Sequence, residues 1–354
     1  MAGIPNCKAF FTNSLFPSKS SEMRPGARSD PAAGVPILPM LDPITVITNA
    51  NAGNRKTAVA AAQLIEQFRR AGLAVVVIEA ANGKELLAAA RSAVERGART
   101  VVAGGGDGTI NAVASSLVGT DCRLGVLPMG TLNHFAKDLK IPASIDEAIA
   151  TIVAGHVIQV DVGEVNGRPF LNNSSLGLYP NIVRDREQQQ RRLGRGKWLA
   201  FFWATVTALR RYPFLSARLE VDGKPHVRRT PFIFIGNNEY SMSGFTLGSR
   251  TELNRGRLSL YVAQRTSRFG LLRLAVRSLF GRLRQARDFD EILASDITVE
   301  TRHRLLPVAT DGEVTWMQAP LRYRIRPRAL NVLVPASTAS AMVSGTGQLS
   351  TTGS

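Results

Sequence analysis

Residues 104–109, Gly-Gly-Gly-Asp-Gly-Thr, combine four glycines with one acidic side chain, Asp107. Backbone without Cβ atoms can approach a ligand closely, and N–H groups at a helix start attract anions. An acid among such amides needs a cation nearby, and a nucleotide phosphate bound with Mg²⁺ meets both requirements. The same residues also fit a plain strand-to-helix turn in which Asp107 caps the helix, so the chemistry needs further support.

A second turn of this kind follows within the next 30 residues. The apolar run 124–128 leads into Met129-Gly130-Thr131, after which residues 132–139 have a helical pattern. The first turn likewise follows an apolar run, 99–103, which predicts two successive strand-turn-helix units. Both helix starts then point off the same edge of one parallel sheet, where open α/β sheets bind their ligands.

The runs GGGDGTINAV (residues 104–113) and LPMGTLNHFAKDL (residues 127–139) resemble the catalytic domain shared by diacylglycerol kinases, sphingosine kinases and bacterial lipid kinases. The order and close spacing of the two motifs carry this resemblance. One position departs from it, because the family often has Asp where this chain has His134. His134 is either a functional replacement or a histidine on the helix surface without a role.

The resemblance implies an ATP site in which backbone N–H and hydroxyl groups bind the phosphates. The nucleotide-binding residues that it implies are Asn49, Gly104, Gly105, Gly106, Asp107, Gly108, Thr109, Asn111, Gly130, Thr131 and Asn133. It also implies that Asp107 and Asp161 serve Mg²⁺, Asp161 matching a family acid beside the metal-bound phosphates. The alternative for Asp161 is an ordinary exposed residue of a strand.

A third motif, Asp311-Gly312-Glu313, lies near the end of the chain. Two acids two positions apart on a strand point to one face, and the glycine between them leaves room for a substrate. By itself, Asp-Gly is also a common hairpin turn. The motif resembles the D-G-E of the lipid kinases, which implies Glu313 or Asp311 as the base for the attacking hydroxyl. Asp107 stays a further candidate for the base.

The elements that must position these residues follow from the sequence pattern. Strands at 44–48 and 73–78 alternate with helices at 56–70 and 84–96, which predicts a doubly wound parallel sheet. After residue 157 the pattern becomes alternating, with the turn pairs Asn-Gly at 166–167 and Asp-Gly at 222–223, which predicts a β-rich antiparallel second domain.

We therefore expect four segments. They are a disordered N-terminal extension (1–43), an α/β ATP-binding domain (44–160), a β-rich lipid-substrate domain (161–335) and a disordered tail (336–354). The family architecture allows the closing strands, 321–326 and 330–334, to return to the first domain.

Lys and Arg outnumber Asp and Glu by 44 to 27, a formal net charge of +17. This balance favours an acidic partner, and we expect an anionic membrane surface rather than nucleic acid because no nucleic-acid recognition motif is present. Two basic, apolar stretches, 197–211 and 269–284, fit helices at a membrane surface, although such stripes more often cover a core. With only Cys7 and Cys122, we expect a cytoplasmic, peripherally membrane-associated protein. The sequence is also compatible with a homodimer.

The sequence thus predicts a lipid kinase that transfers the ATP γ-phosphate to a hydroxyl of diacylglycerol or a related lipid. The alternatives are an enzyme similar to NAD kinase, which shares a G-G-D-G turn, and a nucleotide- or membrane-binding protein with reduced catalysis. Some bacterial relatives hold a structural Mg²⁺ through an acidic loop, and the corresponding loop, 253–258, has Arg255 where the acid would be. We expect no Mg²⁺ at this loop.

Overall fold

The computed structural model describes residues 8–10, 43–50, 61–177, 215–230, 232–240, 250, 252–263 and 289–346. The helices among them are α1 (Ala61–Arg70), α2 (Gly83–Glu95), α3 (Asp107–Leu117), α4 (His134–Asp138), α5 (Ile145–Ala154) and α6 (Ala336–Thr346). The first strands are β1 (Lys8–Phe10), β2 (Ile44–Asn49), β3 (Val75–Ala80), β4 (Thr100–Gly105), β5 (Arg123–Pro128), β6 (Val157–Val165), β7 (Arg168–Phe170) and β8 (Asn173–Gly177). The later ones are β9 (Leu215–Val221), β10 (Lys224–Thr230), β11 (Phe232–Asn237), β12 (Leu258–Ala263), β13 (Phe289–Ala294), β14 (Asp296–Thr301), β15 (Leu305–Thr310), β16 (Glu313–Gln318) and β17 (Leu321–Leu333).

The first domain is a parallel sheet covered by helices on both faces. Its strands run in the order β3-β2-β4-β5, and all neighbours in this group are parallel. The strands are rich in Val and Ile because both of their faces are buried, as at Val46, Ile47 and Val101. Helix α2 packs on α3, and α1 contacts α5. The predicted doubly wound α/β domain is confirmed.

The second domain is an antiparallel β-sandwich. One sheet has the order β13-β12-β11-β8-β15-β16, and the other layer is formed by β9, β10, β14 and the first part of β17. Residues from both layers, including Ile233, Leu260, Leu219 and Tyr323, share one buried core. Both predicted Asn-Gly and Asp-Gly hairpins are present, and all four of their turn residues have positive φ. Two positive φ values in a two-residue loop match the strand twist, and Asn, Asp and Gly adopt them readily.

Strand β17 joins the two domains. It was expected as two closing strands, but it is one strand of 13 residues with a register shift between Arg326 and Leu330. Its first part pairs with β14, and its end pairs in parallel with β5 through Asn331 and Val332. The chain therefore does return to the first domain. The expected boundary after residue 160 falls inside β6, which pairs with β17 along both parts.

The C-terminal tail is not structureless where it is described, so that expectation is wrong for residues 336–346. They form α6, whose Thr338 hydroxyl donates to the carbonyl of Leu139, while Ala339 and Met342 pack on the core of the first domain. The sequence pattern hid this helix because only a few small apolar side chains anchor it. In the N-terminal extension, β1 is also a correction, because its backbone pairs with the edge strand β3.

The two basic, apolar stretches, 197–211 and 269–284, lie outside the described residues. Among the helices that are described, none combines the length and the apolar character that a bilayer crossing requires.

Candidate functional site

The two glycine turns meet at one edge of the parallel sheet, as predicted. Strands β2, β4 and β5 end side by side, since Thr48 pairs with Gly104 and Gly105 pairs with Pro128. Asn49, the last residue of β2, lies at the same edge. We call residues 104–109 and 129–133 the glycine edge. Its position at the carboxyl ends of parallel strands is the usual ligand site of open α/β sheets.

The two turns approach each other more closely than side chains would permit. A Cβ atom on Gly130 would lie 2.4 Å from the Cα atom of Gly106, which is shorter than any real contact. A Cβ atom on Gly105 would lie 2.5 Å from the hydroxyl oxygen of Thr109. Gly130 is therefore needed for the close approach of the two turns, and Gly105 for the tight course of the first turn.

Asn133 shapes the second turn with its side chain. It has a left-handed backbone (φ 50°) at the residue before α4. Its Oδ1 accepts from the Gly130 N–H at 3.0 Å, and its Nδ2 donates to the carbonyls of Gly130 (2.8 Å) and Pro128 (3.3 Å). The amide group is thus used inside the turn, so the predicted nucleotide-binding role of Asn133 becomes indirect. Thr131, at the tip of the same turn, is exposed.

Asp107 links the two turns. It is the first residue of α3, and its Oδ1 accepts from the backbone N–H of Phe135 in α4 at 3.3 Å. No described residue donates to its other oxygen, Oδ2. His134, the position that departs from the family pattern, is exposed and precedes the N–H that Asp107 accepts. Asp107 therefore retains one carboxylate oxygen for a further ligand at the glycine edge.

The Mg²⁺ that the family implies fits Asp107. Within the described part of the chain, no three His, Cys, Asp or Glu side chains converge as a metal cluster. Mg²⁺ does not require a site built from protein ligands alone, because the ion usually binds one or two carboxylates together with phosphate oxygens and water. The free Oδ2 atom of Asp107 would be the protein's share of that donor set, and phosphate oxygens and water would supply the rest.

The side chains of Thr109, the last residue of the first turn, and of Asn111 are buried beneath the turn and not exposed at its surface. Their exposed fractions are 4% and 7%, and both are on the buried side of α3. The Asn111 Oδ1 atom is buried without a hydrogen-bond partner among the described residues. Their predicted direct contact with a nucleotide gives way to a supporting position beneath the turn.

Glu313 reaches the glycine edge from the second domain. Its Oε1 lies 3.6 Å from the point where a Cβ atom of Gly108 would be, beside the first turn of α3. Its Oε2 accepts from the Arg168 guanidinium at 3.0 Å, and Arg168 also contacts the Thr315 hydroxyl. The Glu313 side chain is 56% exposed, so its carboxylate is oriented by one partner but open to a substrate. The structure thus brings Glu313 to the glycine edge, although Glu313 and Gly108 are 205 positions apart in the sequence.

Asp311 is used differently from Glu313. Its backbone is left-handed (φ 49°), and its carboxylate accepts three N–H groups, those of Leu171, Asn172 and Asn173, at 2.7 to 3.0 Å. Burial raises the pKa of Asp311 to about 6, while the three N–H groups and the charge of Arg250 act in the opposite direction. With both oxygens occupied, Asp311 holds the loop in which Glu313 lies and is poorly placed to accept a substrate proton.

A buried ion pair joins the two domains behind these acids. The Arg250 guanidinium donates to Asp138 at 2.8 Å, and both side chains are nearly inaccessible (0% and 6%). Arg250 also donates to the carbonyls of Leu171 (2.6 Å) and Asn237 (3.1 Å) and to the side chain of Asn172 (2.8 Å). Asp138 ends α4, so Arg250 connects the second glycine turn to the backbone that holds Asp311.

Sequence reasoning missed both members of this pair. Asp138 lies in a recognised motif, but Arg250 follows 112 positions later and no spacing rule relates them. The departure from the family pattern at His134 was a partial indication that the acid of this helix lies at another position. An acid still occurs on α4, one helical turn further on at Asp138, where it faces the second domain.

Asp161, which was expected to serve the metal, has a structural environment instead. It is 1% exposed, and its two oxygens accept the N–H groups of Gly256 (2.6 Å) and Arg328 (2.8 Å). It thereby fastens loop 253–258 to the bulge of β17. In that loop, Arg255 pairs with Glu252 and Glu239. A metal role for Asp161 stays a prediction, and these contacts favour a role in holding the loop.

Comparison with known proteins agrees with this architecture. Residues 43–165 match the family model of the diacylglycerol kinase catalytic domain, and residues 180–334 match that of the YegS C-terminal NAD kinase beta sandwich-like domain. A diacylglycerol kinase of Bacillus subtilis is 30% identical over 67% of this chain and 78% of its own length. A diacylglycerol kinase of Mycobacterium tuberculosis is 29% identical over 82% of this chain and 95% of its own length.

The fold is shared with a solved structure as well. The crystal structure of a diacylglycerol kinase from Bacillus anthracis superposes with a TM-score of 0.60 at 18% identity, covering 84% of this chain and 98% of that one. The class of protein that the two domains and their motifs define is an ATP-dependent lipid kinase. More particularly, the chain belongs to the diacylglycerol kinase family.

Proposed function

We propose that this protein transfers the γ-phosphate of ATP to a hydroxyl group of diacylglycerol or a closely related lipid. The observation that carries the proposal is the meeting of two motifs across the domains, with the Glu313 carboxylate 3.6 Å from the Cβ position of Gly108. Phosphoryl transfer asks the protein mainly for positioning and for charge stabilisation, and this arrangement is suited to supply both.

The ATP phosphates would bind at the glycine edge, where the two glycine turns precede the starts of α3 and α4, because backbone N–H groups at a helix start attract anions. Mg²⁺, when bound, would neutralise phosphate charge, and Asp107 is the residue that would hold it or its waters through Oδ2. The protein would contribute the two glycine turns that surround the phosphates. Asn133 fixes the second turn, and Asp107 fixes the distance between the turns.

Glu313 is the favoured base for the attacking lipid hydroxyl. Its carboxylate is exposed, is oriented by Arg168 and faces the start of α3, where a phosphate would lie. A positioned carboxylate within reach of the hydroxyl accelerates transfer by about 10²- to 10⁴-fold. Asp311 would position Glu313 by fixing the loop, and Asp107 is the second candidate for the base.

The relatives' names favour diacylglycerol as the acceptor, and the description of the second domain as similar to that of NAD kinase makes NAD the acceptor to exclude. The test is phosphate transfer from radiolabelled ATP, in the presence of Mg²⁺, to diacylglycerol, sphingosine, phosphatidylglycerol or NAD. We expect transfer to diacylglycerol or another of the lipids and none to NAD. Transfer to NAD alone would replace the proposed function.

A further inference from the structure

The hairpin of β15 and β16 exposes two large apolar side chains on its outer face. Leu306, Val308 and Met317 face the sandwich core and are buried. The opposite face presents Leu305 and Trp316, which are 51% and 56% exposed. Monomeric surfaces commonly carry single exposed apolar residues, but Leu305 and Trp316 are neighbours on adjacent strands, and the strand of Trp316, β16, is the edge strand of its sheet.

The register of the hairpin places these side chains next to each other. Trp316 pairs directly with Pro307, and Leu305 lies two positions before Pro307 on the same face. Side chains on such a diagonal are about 7–8 Å apart, which an indole ring can span. Together they form a small apolar patch.

A basic turn borders this patch. Residues 302–304, Arg-His-Arg, connect β14 to β15 and are exposed. The turn is held by its backbone, since the Thr301 hydroxyl donates to the His303 carbonyl and the Ala319 N–H donates to that of Arg304. Neither Arg302 nor Arg304 forms an ion pair with any described residue. Their charges are thus available to an external partner.

Two arginines of strand β17 are neutralised within the protein, since Arg324 pairs with Asp296 at 2.9 Å and Arg326 pairs with Glu164 at 3.6 Å. Arg302 and Arg304 have no such pair among the described residues, and they lie beside the exposed tryptophan. A membrane-binding surface combines these two kinds of side chain.

We propose that residues 302–305 with Trp316, here called the hairpin edge, are the surface by which this protein docks on an anionic membrane. Tryptophan prefers the headgroup level of a bilayer, and arginines beside it are attracted to anionic lipids. An anionic lipid surface satisfies both at once.

The direct test is binding to vesicles of phosphatidylglycerol and phosphatidylcholine, compared with vesicles of phosphatidylcholine alone. An apolar variant, Leu305→Gln with Trp316→Gln, and a charge variant, Arg302→Gln with Arg304→Gln, are each expected to bind anionic vesicles roughly tenfold more weakly. The charge variant should lose its deficit at high salt, while the apolar variant should keep it.

Matched controls change the same chemistry elsewhere on the surface. Val227→Gln removes an apolar side chain that is 76% exposed on β10. Arg91→Gln with Lys224→Gln removes two exposed positive charges, as the charge variant does. Both controls should bind vesicles within about twofold of the unaltered protein. Equal losses in controls and variants would show that overall charge or hydrophobicity, and not the hairpin edge, governs binding, and would overturn the proposal.

A second measurement detects the contact between Trp316 and the membrane without substituting Trp316. Trp198→Phe with Trp203→Phe leaves Trp316 as the remaining tryptophan of the chain. Its fluorescence should shift to shorter wavelength when anionic vesicles are added, because the ring leaves water. An unchanged spectrum under conditions where the protein binds vesicles would overturn the proposal even if a glutamine variant failed to fold.

Failure of this inference can be distinguished from failure of the proposed function. Phosphorylation of a short-chain, monomeric diacylglycerol should be the same for the unaltered protein and both hairpin variants, and vesicle binding is read without any catalysis. Normal vesicle binding by both variants would overturn the proposed docking surface and leave the proposed function unaffected.

Sedimentation tests a different role for the patch. If Trp316→Gln dissociates a dimer without changing vesicle binding, the patch is an interface between copies of the chain and the proposal is wrong.

Discussion

The glycine edge and the loop of Asp311 and Glu313 hold their shapes by different means. The glycine edge relies on backbone packing, with Gly106 and Gly130 in contact and Asn133 bonded within its own turn. The Asp311 loop relies on side chains from distant segments, which converge on a buried carboxylate and a buried guanidinium. The first construction is local in the chain, and the second depends on the whole fold.

This difference has a consequence for mutations. Substitutions at the glycine edge should change the rate with little effect on stability when they preserve the backbone. Substitutions in the network around Asp311 should change stability first, because they leave buried polar groups without partners. Measurements of catalytic rate and of stability on matched variants can therefore test whether the two regions differ in this way.

The largest effect is expected at Asp107. Asp107→Asn keeps an oxygen that can accept the Phe135 N–H, so the fold should be retained. It removes the negative charge that would serve Mg²⁺, and turnover should fall by at least about 10²-fold, the usual loss when one preorganised electrostatic group is removed. Steady-state kinetics with saturating ATP and Mg²⁺ check this, with circular dichroism as the control for folding. A nearly normal rate would remove Asp107 from the site.

Next in size is the buried pair of Arg250 and Asp138. Arg250→Met leaves Asp138 buried without its partner and should lower the free energy of unfolding by about 3–5 kcal/mol. The matched control is Arg324→Met, whose pair with Asp296 has nearly the same distance but is 67% and 61% exposed. The control should change stability by at most about 1 kcal/mol. Denaturant titration of both variants measures the contrast, and equal effects would contradict the assigned role of burial.

Much of the site could be predicted from the sequence where its parts are local. The strand-turn-helix units at 104–109 and 129–133 were placed correctly, because turn chemistry and spacing are properties of adjacent residues. The expectation that Asp311 and Glu313 share one strand was wrong, because Asp311 and Gly312 form the turn between β15 and β16 and only Glu313 lies on a strand. The Arg250–Asp138 pair and the backbone contacts of Asp311 could not be predicted, because they join segments more than 100 positions apart. Helix α6 was missed because its few anchoring side chains, such as Met342, leave no periodic pattern.

The pKa of Asp311 gives a smaller effect with a defined sign. Its folded-state pKa is raised from 3.8 to about 6, so the stability it contributes is complete below pH 4 and is lost as pH rises through 6. The unfolding free energy of the unaltered protein relative to Asp311→Asn should therefore fall by up to about 3 kcal/mol between pH 4 and pH 7. Urea unfolding of both proteins across this range checks the sign. A difference that grows with pH would mean that the three N–H groups outweigh burial.

The smallest effect is expected at loop 253–258, where Arg255 pairs with Glu252 and Glu239. Because a guanidinium occupies the position of the family acid, millimolar Mg²⁺ should not raise the melting temperature through this loop. Arg255→Asp should gain a Mg²⁺-dependent rise that the unaltered protein lacks, with NaCl of equal ionic strength as the control. The same Mg²⁺ response in both proteins would show that Arg255 does not decide metal binding here.

The central claim is that Glu313, at the edge of the second domain, acts on a lipid hydroxyl beside the glycine edge of the first. The most direct measurement is ATP-dependent phosphorylation of diacylglycerol in detergent micelles by the unaltered protein and by Glu313→Gln, with ATP affinity measured in parallel. We predict lipid phosphorylation by the unaltered protein, a loss of about 10²- to 10⁴-fold in Glu313→Gln, and similar ATP affinity in both. Lipid phosphorylation at a nearly unchanged rate in Glu313→Gln would contradict it.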